Sequence, residues 1–299
     1  MTDRQHLIRS LWTLYEPIHA VAYFSTEVRD AFAAVGLPRY WDGYFAGRAA
    51  PLGAIGAAPV AAIFSGFAPS IVGRALPAVW STVTPDAALQ VRSLGAAASL
   101  RGLLPDAGVV ARAADALTDI AAHAETVGRP LAAANKELAV ESDPYRRLWQ
   151  ATATLREHRG DGHVIALVAG DIAGLSTIVL RCSLDLDGAT MQRSRGWSDD
   201  EWQTGRQDLT VRGLIGDDLR ITVAGSAALA TAEQLTNALA VGPWAHLDDA
   251  GLREIGILLR PLAIASGGLF PYPNPIGMPE PWDPESDPEA SQIARAPGL

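Results

Sequence analysis

The chain has 299 residues, 48% hydrophobic and 19% charged, which is enough for two domains and too apolar for an intrinsically disordered protein. Its net charge of -9 excludes the globally basic surface of a general nucleic-acid binder, while leaving room for a local basic patch. The single cysteine, Cys182, excludes an internal disulfide or a zinc cluster of thiolates and suits a reducing compartment, and MTDRQHLIRSLW carries no signal core, so a cytoplasmic protein is expected.

The first part of the chain reads as helices. Leu7, Leu11, Leu14, Ile18 and Val21 recur at helical spacing, with Pro17 inside the pattern as a kink or a restart. A helix over 26–35 closes at Gly36, and Tyr40, Trp41, Tyr44 and Phe45 form an aromatic face that ends at Arg48. From Ala49 to Gly73 there is no charge, but three prolines and three glycines cut the run into pieces too short for a hydrocarbon layer of about 30 Å. No membrane partner is expected, and buried helices are. Further helices are predicted over 69–83, 85–103, 108–126 and 130–140, several opening on a proline.

Glu141-Ser142-Asp143-Pro144 is a polar joint, dividing an all-helical domain (1–142) from a second domain (143–266) and a proline-rich tail (267–299). After the joint, a helix over 145–158 is expected to break at Arg159-Gly160. Asp161 would then cap a new helix over 162–169, followed by another over about 174–184. Ser198 with Glu201 is a capping box for a helix to Arg212. Leu214-Ile215 and Leu219–Val223 around Gly216-Asp217-Asp218 read as a two-stranded wing, and a long helix follows to about Leu239. The fold expectation is therefore mainly α, a helical N-terminal domain followed by a winged helix-turn-helix with a minimal wing. A last helix covers 249–266. In the tail, Phe270 and Tyr272 are expected to pack on the body, and the polar stretch from about Asp283 to fray.

The predicted recognition helix opens on Asp199, Asp200 and Glu201, and the wing tip is Asp217-Asp218. Acidic groups suit a helix N-terminus but oppose phosphate. Arg193, Arg195, Arg206 and Arg212 are the nearby cations for a DNA backbone.

Ionisable residues also occur in apolar company. Glu16, His19 and Tyr23 share one helical face, where a carboxylate can orient an imidazole for acid–base work; a structural hydrogen-bonded pair is the plainer alternative. Arg48, one turn after Tyr44, needs a buried partner, either a carboxylate such as Glu16 or an anionic ligand. His158, Asp161 and His163 fall in one glycine-broken run. It lacks the spacing of a zinc motif and reads as a polar hinge or ligand-contacting loop, so no metal is assigned. His6, His123 and His246 lie in polar surroundings and receive no role. There is no P-loop, dinucleotide fingerprint or nucleophile elbow, and the sequence names no cofactor.

The segments EPIHAVAYF, GYFAGRAAPLG, LREHRGDGH, the RGLI-to-TVAG wing and PYPNPIG together resemble an actinobacterial winged helix-turn-helix family of unknown function, over about residues 7–279. The resemblance implies a regulator and carries over no catalytic residue.

On this reading the expected function is a small-molecule-binding or tailoring protein on a winged-helix scaffold, not primarily a DNA binder. If it is an enzyme, His19 is the acid or base and Glu16 orients it. Arg48, Tyr44, Tyr23, His158, Asp161 and His163 contact an anionic substrate. The alternative is a DNA-binding transcriptional regulator, dimeric, with its arginines on phosphates.

Overall fold

The computed structural model describes residues 2–270, 274 and 276–286. Among these, fourteen α-helices carry the architecture and no strand is present. The N-terminal helix α1 (Asp3–Phe24) starts at a capping box made by Thr2 and Gln5, and it runs through Pro17 as one helix. Its apolar stripe is buried, with Leu11, Leu14, Ile18 and Val21 at zero exposure. Ser25 closes α1 and caps α2 (Thr26–Ala34), and α3 (Tyr40–Ala49) carries the aromatic face.

The uncharged run folds into α4 (Ala57–Ile63) and α5 (Pro69–Ala75). The helix expected over 69–83 stops at Ala75 because Pro77 offers no N–H and crowds the preceding turn. Among the described residues no single helix is long and apolar enough to cross a membrane. Next come α6 (Pro85–Leu103), α7 (Ala107–Ala122) and the short α8 (Pro130–Lys136).

The helix α9 (Pro144–Ala169) is capped by Asp143 at the predicted joint and runs 26 residues without a break. The expected break at Gly160 and the expected cap by Asp161 are both corrected. Gly162 stays within the helix, and its missing side chain leaves room for the Arg129 guanidinium: a Cβ there would stand 2.6 Å from Arg129 Nη1. Asp161 turns outward from its own helix and accepts the Leu131 and Ala132 N–H groups at 3.0 Å, capping α8 instead.

Beyond α9 lie α10 (Leu175–Cys182), α11 (Gly188–Arg195), α12 (Asp199–Val211), α13 (Val223–Leu239) and α14 (Asp249–Gly267). The two-stranded wing is corrected. Between α12 and α13 the chain makes one isolated antiparallel bridge, Ile215 to Ile221, and no strand forms. The reason is length. Gly213 takes the left-handed conformation that ends α12, and Thr222 caps α13. That leaves too few residues on each side for a ladder. The turn is nevertheless pinned: Gly216 N–H donates to the Arg220 carbonyl (2.8 Å) and Ile221 N–H to Ser183 (3.1 Å).

Two large apolar clusters hold the chain. The first gathers α1, α6, α7, the first part of α9 and α14, with Leu11, Phe45, Leu100, Leu117, Leu148 and Trp244 among its members. The second gathers Leu167, Val179, Leu180, Met191, Trp202, Leu209 and Ile215. The helix α9 contributes to both, with Leu148 and Leu155 in the first and Ala166 and Leu167 in the second. Phe270 packs on Phe24, and Asp283 pairs with Arg260; Tyr272 and the end of the tail from 287 lie outside the described residues.

Candidate functional site

Two features could serve a function: a buried polar network along α1 and α9, and the helix pair α11–α12.

Glu157 is the centre of the network. Its side chain is 3% exposed, and it accepts Arg48 Nε and Nη2 on its two oxygens (3.0 and 2.9 Å) and Arg156 Nη1 (2.8 Å). Burial alone would raise the Glu157 carboxyl, but the Arg156 and Arg48 guanidiniums override it and hold it far below the usual range. Arg48 also donates to the Tyr44 hydroxyl (3.1 Å) and lies 4.0 Å over the Phe64 ring. Arg156 reaches on to Glu16 (3.5 Å), whose other oxygen accepts Trp12 Nε1.

The two residues proposed for acid–base work therefore have other partners. Glu16 is engaged by Trp12 and Arg156, while His19 Nε2 faces the Tyr23 hydroxyl at 2.9 Å. The His19 ring stacks on Trp149, and its Nδ1 is buried without a hydrogen-bond partner. Burial, then the Arg156 charge, depresses its pKa well below the ordinary value. Tyr23 in turn packs on Tyr44.

Thus Glu16, His19, Tyr23, Tyr44 and Arg48 belong to one continuous network. The remaining predicted residues spread out along α9. His163 lines a cleft of about 200 Å³ with Arg48, Glu157 and Asp161, and its Nδ1 meets Thr236. His158 faces another side: it is buried, and its carbonyl accepts Arg129. Burial pushes His163 down to about 4 and His158 to about 3, and raises Asp161 to about 6 against the two N–H groups that hold it. Sequence reasoning missed Glu157 as the hub. An unbroken α9 sets Ala153, Glu157 and Asp161 four residues apart on one face, and the glycines concealed that register.

The second feature is α11–Gly196-Trp197-Ser198–α12. Asp187 caps α11 by accepting Thr190 N–H at 2.8 Å. Gly196 closes it in the left-handed conformation (φ +77), and a Cβ there would stand 2.7 Å from Ile71. Ser198 and Glu201 then form the predicted capping box. Two helices joined by a three-residue turn containing glycine are the helix-turn-helix arrangement, with α12 in the recognition position. The sequence reading overlooked α11, whose eight residues have little apolar periodicity; the Asp187 cap and Gly196 were its signals.

Trp202 and Leu209 anchor α12 in the second cluster. Gln203, Thr204, Gln207, Asp208 and Val211 form its exposed face, with Val211 88% exposed. The acidic first turn is partly engaged locally: Asp199 accepts Gln192 (2.7 Å), and Glu201 accepts the Ser198 N–H and hydroxyl. The arginines differ from one another. Arg195 packs over Phe67 at 4.4 Å, and Arg212 is paired with Asp208 and Asp171. Arg193 and Arg220 are exposed.

Neither a curated protein nor a solved structure matches this chain. A family model described as a helix-turn-helix family matches residues 8–271. That match overturns the expectation of a small-molecule-binding or tailoring protein, because a helix-turn-helix points to DNA. The residues of the network and the α11–α12 pair fall within this one match, and the chain belongs to the helix-turn-helix family.

Proposed function

We propose that the protein is a DNA-binding transcriptional regulator that inserts α12 into the major groove. The observation that carries this reading is the α11–turn–α12 unit, closed by Gly196, with an exposed polar face on its second helix. Gln203 and Gln207 lie one turn apart on that face. Glutamine suits the paired donor and acceptor of an adenine edge, while Thr204 and Val211 suit a thymine methyl. Arg193 and Arg220 flank the helix as phosphate contacts.

Acidic side chains outnumber basic ones between Asp187 and Arg220, so few counterions are released on binding. The affinity rests more on base contacts than on charge, and the salt dependence is correspondingly shallow. A DNA target, the free Cys182 and the resemblance to an actinobacterial family together support a bacterial, cytoplasmic setting.

The test is selection of bound sequences from a random duplex pool at about 50 mM salt, followed by fluorescence anisotropy. We expect an A·T-containing consensus. Gln207→Ala should cost about 1–3 kcal/mol on that consensus and relax preference at one position. Arg220→Ala should weaken all sequences alike and lower the salt slope by about one. A pool that yields no sequence-selective binding refutes the proposal.

A further inference from the structure

The last turn of α7 and the segment leading into α14 meet at the surface, away from both the network and the helix-turn-helix. There Asp119, His123 and His246 each bring a ligand-type atom to within 4.8 Å of the other two. We infer that these three residues form a binding site for a divalent transition-metal ion, with zinc the ion their chemistry suits best.

Several independent observations bear on this. Asp119 and His123 are four residues apart at the end of a helix, so both side chains stand on one face. His123 Nδ1 lies 2.9 Å from the Asp119 carbonyl. That contact places the ring proton on Nδ1 and leaves the Nε2 lone pair for a metal, the arrangement in which an outer hydrogen bond fixes the tautomer of a ligating histidine. His246 arrives from the other side, its ring stacked on His123 with centroids 4.0 Å apart and its Nε2 3.2 Å from Asp119 Oδ2.

That last distance is informative. Zinc bonds of about 2.0–2.2 Å at tetrahedral angles set neighbouring ligand atoms roughly 3.3–3.6 Å apart. The nitrogen–oxygen pair therefore already stands near the edge length of such a site, and His123 brings the third ligand atom to within 4.8 Å of both. All three residues are exposed, so the fourth corner opens to water.

The backbone holding His246 is fixed in advance. Arg4 donates to the carbonyls of Trp244 and Leu247, on either side of His246, at 2.8 and 2.7 Å. Trp244 is 1% exposed in the main core and stacks on Tyr15, and Asp248 caps α14 immediately afterwards. Binding thus has little ordering cost to meet. The C-terminal end of α7 adds a partial negative charge beside the cation. Two imidazoles and one carboxylate favour zinc over magnesium or calcium, which prefer oxygen donors.

The experiment is calorimetric titration of zinc chloride into the untagged full chain, repeated with magnesium chloride. We expect one saturable zinc equivalent and no comparable magnesium binding. His123→Ala and His246→Ala should each weaken zinc by roughly tenfold or more, and His6→Ala, the exposed histidine outside the cluster, should leave it unchanged. Because the two altered histidines are on the surface, circular dichroism should show an intact fold. Cobalt(II) should give the visible bands of four-coordinate geometry in the wild-type chain, and His123→Ala/His246→Ala should abolish them. Absence of saturable zinc binding, equal binding of magnesium, or zinc binding that persists in the double variant would each overturn the assignment.

Discussion

Replacing Glu157 by glutamine tests whether the buried network is held by charge. The substitution keeps the shape of the side chain and one acceptor oxygen, but removes the carboxylate shared by Arg48 and Arg156. Arg156 retains Glu16 at 3.5 Å, whereas Arg48 keeps one bond to the remaining oxygen, the Tyr44 hydroxyl and the Phe64 face, loses the counter-charge, and meets an amide NH2 where the second oxygen was. At an effective dielectric near 20, unit charges about 4 Å apart attract by about 4 kcal/mol. Breaking one side of a buried pair costs about 3–5 kcal/mol, because the surviving charge stays in a poor environment. We therefore expect Glu157→Gln to lower the unfolding free energy by about 3–4 kcal/mol in urea melts followed by far-ultraviolet circular dichroism. The double variant Arg48→Met/Glu157→Leu should recover at least about 2 kcal/mol relative to the sum of the single changes. A loss below about 1 kcal/mol for Glu157→Gln, or strict additivity in the cycle, would refute the reasoning.

Other substitutions probe the remaining findings. Asp161 caps α8 but is raised to about 6 by burial, so above that pH its charge is a burden. Asp161→Asn should accordingly be at least as stable as wild type at pH 8 and lose that advantage below about pH 4, while Asp161→Ala loses the cap and about 1–2 kcal/mol throughout; thermal melts at the two pH values compare them. His163 and His158 are depressed to about 4 and about 3, so the unfolded chain binds more protons than the folded one below about pH 6.5. Their contribution is fully present above that pH and is lost as pH falls through the folded values, on the order of 3 kcal/mol for His163 alone; His163→Gln should flatten the stability profile between pH 6.5 and 4. Gly196→Ala forces a side chain into the left-handed region and against Ile71, costing about 2–4 kcal/mol and DNA binding together, as melting and anisotropy should report.

How much of this the sequence disclosed depended on the kind of signal. The apolar stripe of α1, the capping box of α12 and the Asp143-Pro144 opening of α9 are local patterns: the stripe is buried, and the other two mark where their helices start. The glycines misled for a physical reason. Gly160 and Gly162 look like helix breakers, yet Gly162 is small because the Arg129 guanidinium, from a different segment, must lie against it. A long-range packing demand leaves no trace in local periodicity. The strands expected at Leu214-Ile215 and Leu219–Val223 do not form, because capping and turn formation consume the residues a ladder needs. Within the candidate site, Arg48 did require a buried carboxylate, but Glu157 supplies it from 109 residues away rather than Glu16. The trio of Asp119, His123 and His246 spans an even greater separation, and polarity alone made its histidines look idle.

The continuity of α9 bears on how motion would pass through the molecule. At 1.5 Å per residue it is a rod of about 39 Å, with one end seated in the first apolar cluster and the other beneath the second. Such a rod is a shared spine. Its middle is tied to α13 by Arg159, which donates to Asn237 and pairs with Glu233, so neither cluster can shift against the other without straining one continuous helix.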